Sequence, residues 1–551
     1  MARGRRNLPV VLLGGALAVA AVMLVLAGWH LTYFQDTFDP LLYRRPWNAD
    51  AFLTPWNEHI VAIPTLVTKV LLAIFGMSSS TPEQVFMGLT VLAAPVLLFA
   101  WMRRRVGDWL ALILAVLFLF LGSAWPVTLW PYEDFFTLPI CLGLAMLLFL
   151  DREDAKGDAG ACAMLALATL SSTLGISFIA VAFVDFVVKG KTRGWSRAYV
   201  FAVPLLIYLA WYAGWGHEDP NHLTLDNVIA SPAYVVEGLA TAFAALSGLI
   251  GPSAVGGPTE IEWGKPILVA VVALVGFGQW RRPGLSRGLW TAAAGGVSFW
   301  LLGAFNLEPG REASTGRYIY ASAFFVLLIL AELLVGWRFS RRALIATAIA
   351  ALLAIGPNLA QLQSGSEFLR KESVITRSDL AALEISRGSV DPSFALTAPE
   401  LVGSPSLGLV ASAPYFEAVD RWGSPAYSIA ELEAAPPTGR HFADLVLGAA
   451  LPISHETVPG LGHPAAGSSC ATLPAGQAAT KEVPVAGKVT VEVAPGEPAT
   501  IAMRRFATGE FPVTVASVEG GTTTTIEIPA DRAKNPWHVH VEAGQLVRVC
   551  D

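Results

Sequence analysis

The first 360 residues are dominated by apolar runs, and this constrains the fold more than any other feature. A bilayer's hydrocarbon core is about 30 Å thick, so a spanning helix needs roughly 20 mostly apolar residues. In lipid only helices and closed barrels satisfy their own backbone. Eleven candidate spans fall near residues 9–29, 83–102, 108–123, 135–150, 159–174, 175–188, 198–214, 265–280, 286–305, 319–337 and 342–360. Composition agrees: 15% of residues are charged, against about 25% in a soluble domain. No basic stripe suggests a nucleic-acid partner.

Lys and Arg should concentrate on the cytoplasmic side. With these spans, 18 of the 24 Lys and Arg of the membrane half fall on one side: the N terminus, 103–105, 152–156, 189–197, 281–287 and 338–342. The other six are Arg44, Arg45, Lys69, Lys265, Arg311 and Arg317. The alternation requires apolar residues 233–250 to stay outside, as an interfacial helix or re-entrant hairpin. The N terminus is then cytoplasmic, the first span is an uncleaved anchor, and the C-terminal region is extracytoplasmic.

Three regions follow: a transmembrane bundle over 1–360, a mixed, partly helical segment over 361–455, and a β-sandwich over 456–551. In the last, KVTVEVA, ATIAM, FPVTVASV, TTTTIEI, WHVHVE and QLVRVC alternate with period two and read as six strands, after a Pro/Gly/Ala-rich connector over 456–480. The fold class is mainly α, with an α+β outer domain. Cys470 and Cys550 both lie outside, where disulfides persist, and we expect them to pair. Cys141 and Cys162 sit in apolar spans as packing residues. His538, His540 and Glu542 share one face of a strand, but a lone strand holds metal ligands poorly and a polar outer face is the favoured reading. The chain has no HExxH, GxSxG, P-loop or CxxC motif.

The outer loops carry the chemistry. The first reads YFQDTFDPLLYRRPWNADAFLTPWNEHIV. It holds Asp36, Asp39 and Asp50 and ends at Glu58 and His59, where Asn57 is expected to cap an amphipathic interfacial helix over 60–75. The second, SAWPVTLWPYEDFF, brings Glu133 and Asp134. A third, NLEPGREASTGRYIY, brings Arg311 and Arg317, whose guanidinium forks suit a phosphate. Acids kept at the rim of a bundle are costly, so they mark a functional site.

This arrangement resembles the GT-C glycosyltransferase superfamily. It is nearest to actinobacterial membrane proteins with an acidic first loop ending in NEH, a GSPAY segment and an R…RYIY element. Here those read QDTFD…WNEHIV, RWGSPAYSIAEL and GREASTGRYIY, with Thr37 where the pattern has a second acid. The resemblance implies sugar transfer from a polyprenyl-phosphate donor to a cell-envelope glycan or lipid acceptor, in contact with membrane lipid. It implies Asp36 as base, with Asp39 as second choice, and Arg317 or Arg311 on the phosphate. Glu58, His59, Glu133 and Asp134 would orient the acceptor or hold a divalent cation. A transporter of lipid-linked sugars and a non-catalytic glycan-binding envelope protein are the competing classes.

Overall fold

The computed structural model describes residues 2–218, 222–255, 257–281, 286–396, 408–461 and 470–550. Arg282, residues 397–407 of the mixed segment and residues 462–469 of the expected connector lie outside the described residues. In chain order the helices are α1 (Ala2–Gly28), α2 (Phe38–Leu42), α3 (Ala49–Leu53), α4 (Ala62–Phe75), α5 (Thr81–Val106), α6 (Asp108–Leu119), α7 (Trp125–Thr128), α8 (Asp134–Leu150), α9 (Ala155–Ser171) and α10 (Leu174–Arg193). They continue as α11 (Tyr199–Gly214), α12 (Leu225–Ser247), α13 (Gly264–Arg281), α14 (Arg287–Phe305), α15 (Gly316–Leu333), α16 (Arg341–Ile385), α17 (Ser412–Trp422), α18 (Ile429–Glu433) and α19 (Pro437–Ala450). The strands are β1 (Ser454–Pro459), β2 (Cys470–Leu473), β3 (Ala478–Val483), β4 (Lys488–Val493), β5 (Ala499–Arg504), β6 (Val513–Val518), β7 (Thr522–Glu527), β8 (Trp537–Ala543) and β9 (Val547–Cys550). Two compact units result. One comprises Met1–Trp29, Arg44–Leu71 and Thr81–Phe368; the other comprises His30–Tyr43, Leu72–Ser80 and Leu369–Asp551.

The first unit is a helical bundle with two chemically distinct ends. At one, Arg105 donates through both terminal nitrogens to Asp151 at 3.0 Å and through Nε to Glu332 at 2.5 Å. Ser286 donates to the same Glu332 at 2.7 Å, so the ends of α5, α8 and α15 and the start of α14 are tied together. Between the ends runs an aromatic column in which Phe118 lies 4.6 Å from Tyr320, Phe324 5.0 Å from Phe325 and Phe178 5.7 Å from Phe325. α8 fits beside it only because Gly143 has no side chain: a Cβ there would fall 2.1 Å from Phe178.

Nine helices among the described residues are long and apolar enough to cross a membrane. They include α12, which starts at Leu225, eight residues before the apolar run read from sequence. Its contacts nevertheless place both its ends at the end of the bundle opposite the Arg105 network. At its N terminus Asn227 donates to the carbonyls of Phe305 and Leu307, beside the end of α14. At its C terminus Asn358 donates to Ala245 O, and Gln361 to Ile250 O and Gly251 O. Ser253, just beyond, donates to Ser123 O past the end of α6. The helix therefore lies across this end, capped by Thr224 at its start and by left-handed Gly248 at its close.

Two expectations change. α4 turns its Thr65, Thr68 and Lys69 face inward, where all three are buried, and exposes Leu66, Val70, Ile74 and Phe75. A helix bathed by lipid shows its apolar side outward, and Lys69 finds partners inside: its ammonium donates to Pro46 O at 2.8 Å and lies 5.1 Å from the Trp47 and Phe52 rings. The span expected to end at 360 instead continues as one 45-residue helix, α16, through Pro357.

The second unit holds an antiparallel sandwich with sheet orders β1-β7-β4-β9-β2 and β3-β8-β5-β6. Alternate residues fill its core, including Val489, Val491, Val493, Ile501, Met503, Val539, Val541 and Val549. Six strands coincide with the alternating segments. Three more, β1 to β3, lie where a connector was expected. All three are edge strands, with one face or none to bury, so SHETVP, CATL and AATKEV carry no apolar alternation. Cys470 is disulfide-bonded to Cys550, its register partner across β2 and β9. His538 and His540 sit on the partly exposed face of β8 and Glu542 is exposed; the His540 ring stacks on Phe511 at 4.4 Å.

The first part of the first loop, up to Tyr43, belongs to this unit as well. Tyr33, Phe38, Leu41 and Leu42 are buried in its core, Thr32 N–H donates to Ser373 at 3.0 Å, and Tyr43 OH to Leu409 O at 2.7 Å. Below the sandwich core, the Asp444 carboxylate of α19 accepts the backbone N–H groups of Arg505, Phe506 and Ala507 at 2.8–2.9 Å. Arg505 in turn forms a fully buried pair with Asp531 at 2.6 Å. Removing one partner of a buried pair strands the other charge. Asp531→Ala should therefore destabilise the folded protein by about 3–5 kcal/mol, measured as a lower midpoint in chemical denaturation followed by near-UV circular dichroism.

Candidate functional site

A cavity of about 200 Å3 opens at the end of the bundle opposite the Arg105 network. Glu58, His59, Tyr208, Arg311, Arg317 and Tyr318 line it, with Phe135, Phe136, Trp211 and Phe299 supplying aromatic wall. Four of the eight residues singled out from sequence are thus brought together within one unit.

The turn carrying Glu58 and His59 differs from expectation. Asn57 does not cap a helix; α4 begins later, at Ala62. Trp56 and His59 instead exchange both backbone hydrogen bonds, N–H to O, at 2.9 and 2.8 Å. Asn57 and Glu58 between them have φ of +47° and +67°, the signature of a two-residue turn with both central residues left-handed. Asn tolerates that region, but Glu does not do so readily, and such strain costs about 1–3 kcal/mol and gathers at functional sites. Arg44, buried and assigned no role from sequence, supports the turn by donating to Thr54 O at 2.7 Å and Pro55 O at 3.1 Å.

The strained turn points Glu58 at Arg311 and His222. Its Oε1 lies 3.1 Å from Arg311 Nη1 and 3.2 Å from His222 Nε2. Arg311 also binds Glu308 through Nε at 2.7 Å, and Tyr234 OH donates to its carbonyl at 3.1 Å. Arg311 is therefore already matched by two carboxylates. Arg317 lines the cavity in the first turn of α15 and makes no ion pair among the described residues. A guanidinium at a helix N-terminus adds its charge to the positive end of the helix dipole, a site suited to an anion. His222, in the loop before α12, gave no signal in the sequence beyond being one of two histidines between α11 and α12.

His59 meets Thr173 through a hydrogen bond at Nδ1, lies 3.4 Å from Ser172 Oγ, and its ring centre is 5.3 Å from that of Phe135. Burial pushes its pKa down to about 3, with the Arg311 and Arg317 charges acting in the same direction. It therefore stands neutral in the site, able to donate or accept one hydrogen bond.

The remaining candidates lie elsewhere. Glu133 and Asp134 are buried at the junction leading into α8 and do not line the cavity, although Phe135 and Phe136, which follow them, do. Asp36, partly buried, sits in a 3-10 turn over Gln35–Thr37 entered through left-handed Gln35, and Asp39 is buried on α2. Both belong to the second unit. No group of three or more metal-binding side chains occurs among the described residues.

Because His59 has a depressed folded pKa, its unfolded state binds the extra proton. Its contribution to stability is complete above the unfolded value near 6.5 and is lost as pH falls towards about 3. Histidine-selective 15N NMR at pH 5 should find its imidazole neutral; a midpoint between 6 and 7 would refute the assignment.

No protein-family model and no curated protein sequence matches the chain. Among solved structures, a crystal structure of ArnT from Cupriavidus metallidurans bound to undecaprenyl phosphate is similar over 71% of this chain and 82% of that chain, at 15% identity and a TM-score of 0.39.

Proposed function

We propose that the protein is a membrane glycosyltransferase that moves a sugar from a polyprenyl-phosphate donor to a cell-envelope acceptor. The observation that carries this reading is Arg317: a guanidinium with no ion pair among the described residues, at a helix N-terminus, opening on an aromatic-walled cavity at one end of a membrane bundle. A phosphate that carries a lipid chain is a ligand for which such a place is suited.

The bundle end opposite the cavity holds Arg103, Arg104, Arg105, Lys189 and Arg287, which by the positive-inside rule makes it cytoplasmic. The cavity then faces outward, where lipid-linked sugars meet envelope acceptors, and the C-terminal unit is extracytoplasmic.

In the proposed reaction an acceptor hydroxyl loses its proton to a carboxylate. Its oxygen bonds to the anomeric carbon, and the bond from that carbon to the phosphate oxygen breaks. Polyprenyl phosphate leaves with the extra negative charge, which Arg317 stabilises. The family resemblance assigns the base to Asp36, with Asp39 as second choice. Glu58, held by Arg311 and His222, orients the acceptor together with neutral His59.

Purified protein supplied with a panel of polyprenyl-phosphate sugars and envelope acceptors should transfer sugar. Arg317→Gln should lower turnover by about 100- to 1000-fold, the usual loss for one transition-state donor. Asp36→Asn should abolish transfer. Wild-type turnover in Asp36→Asn would remove that base, and wild-type turnover in Arg317→Gln would remove the phosphate assignment.

A further inference from the structure

A second, larger cavity, of about 390 Å3, lies at the other end of the bundle between α5, α8, α10, α14 and α15. Its floor is aliphatic, from Leu147, Val181 and Leu328, and its rim carries Arg104, Arg105, Lys189 and Arg287 against Asp151, Asp185 and Glu332. Nothing in the proposed transfer reaction uses it.

The three carboxylates are already committed. Asp151 accepts two bonds from Arg105 and lies 3.6 Å from Arg104. Asp185 pairs with Arg197 at 2.8 Å and Lys189 at 3.0 Å. Glu332 takes Arg105 and Ser286, and it can lie over the first turn of α14 only because residue 288 is glycine: a Cβ there would meet Glu332 Oε2 at 2.3 Å. Arg287 makes no ion pair or hydrogen bond among the described residues, and Arg104 keeps 56% of its side chain exposed. The cations thus outnumber the acids on the rim, and the surplus is on its two most solvent-accessible arginines.

We propose that this cavity binds a phosphate group, presented as the headgroup of an anionic phospholipid. The phosphate would take Arg287 and Arg104, and the upper part of an acyl chain would cover Leu147, Val181 and Leu328. A basic pocket between membrane helices with an apolar floor matches both halves of such an amphiphile, whereas a free phosphate would use only the rim.

The full-length protein in detergent, incubated with phosphatidylglycerol or phosphatidylcholine and read by native mass spectrometry, tests this. Phosphatidylglycerol should be retained in preference to phosphatidylcholine. Retention should fall about fivefold in Arg287→Gln and about 25-fold when Arg104→Gln is added, one step for each cation at a membrane surface. Arg281→Gln, a cation outside the cavity, should leave retention unchanged. Inorganic phosphate alone, titrated to millimolar concentration, distinguishes the sources: competition without lipid preference would keep the phosphate site and reassign its source to a soluble phosphate. Equal retention of both lipids with no phosphate competition, or wild-type retention in the folded Arg287→Gln/Arg104→Gln protein, overturns the proposal.

Discussion

The ion pair between Glu58 and Arg311 governs what the first cavity is fitted to receive. Two arginines line that cavity, and a cavity offering two uncompensated guanidinium groups would be a simple anion trap. Glu58 and Glu308 neutralise Arg311, so the surplus positive character falls on Arg317. The pair in turn depends on the left-handed turn at Asn57 and Glu58. Arg44 anchors that turn from one side, and His59 locks it to Thr173 from the other. A strained backbone persists only where its surroundings over-determine it, and here three side chains do so.

The bundle separates its polar chemistry into two places and keeps the middle aromatic. At the Arg105 end, acids and bases sit in pairs that hold four helices in register. At the other end, the irregular segments gather: the Trp56–His59 turn, the stretch from Gly122 to Glu133, and α12 lying crosswise. Irregular backbone is tolerated at membrane depth only where protein or a water-filled cavity surrounds it. The hydrogen bonds from Asn358 and Gln361 to the end of α12 and the loop beyond it satisfy carbonyls that a crosswise helix would otherwise leave bare.

Much of this was legible in the sequence because burial leaves a periodic record. The spans show as apolar runs, and the six strands with a buried face show as alternation. Where burial is one-sided or reversed, the record fades or inverts. β1 is exposed along its whole length and looked like linker. α4 has a correct amphipathic pattern, but the pattern cannot say which face meets lipid and which meets protein. The Trp56–His59 turn was hidden because its defining property is backbone conformation, and Asn followed by Glu suits a helix start equally well. The Glu58–Arg311 contact joins residues 253 positions apart, a distance over which a single sequence carries no pairing signal. Asp36 and Asp39 share a loop with Glu58 in the sequence. The hydrophobic residues around them, Tyr33, Phe38 and Leu41, are buried in the core of the second unit, a packing that loop composition alone does not reveal.

The position of β9 has a consequence for the order in which the protein is made. This strand, residues Val547–Cys550, lies between β4 and β2 in the interior of its sheet. Every sandwich strand from β1 to β8 emerges before it, yet β2 has no sheet partner but β9 among the described residues, and Cys470 meets its disulfide partner only when Cys550 arrives 80 residues later. The five-stranded sheet therefore cannot close strand by strand in chain order. Until β9 arrives, β2 and the facing edge of β4 lack their partner, so this strand is the one that commits the sheet to its fold.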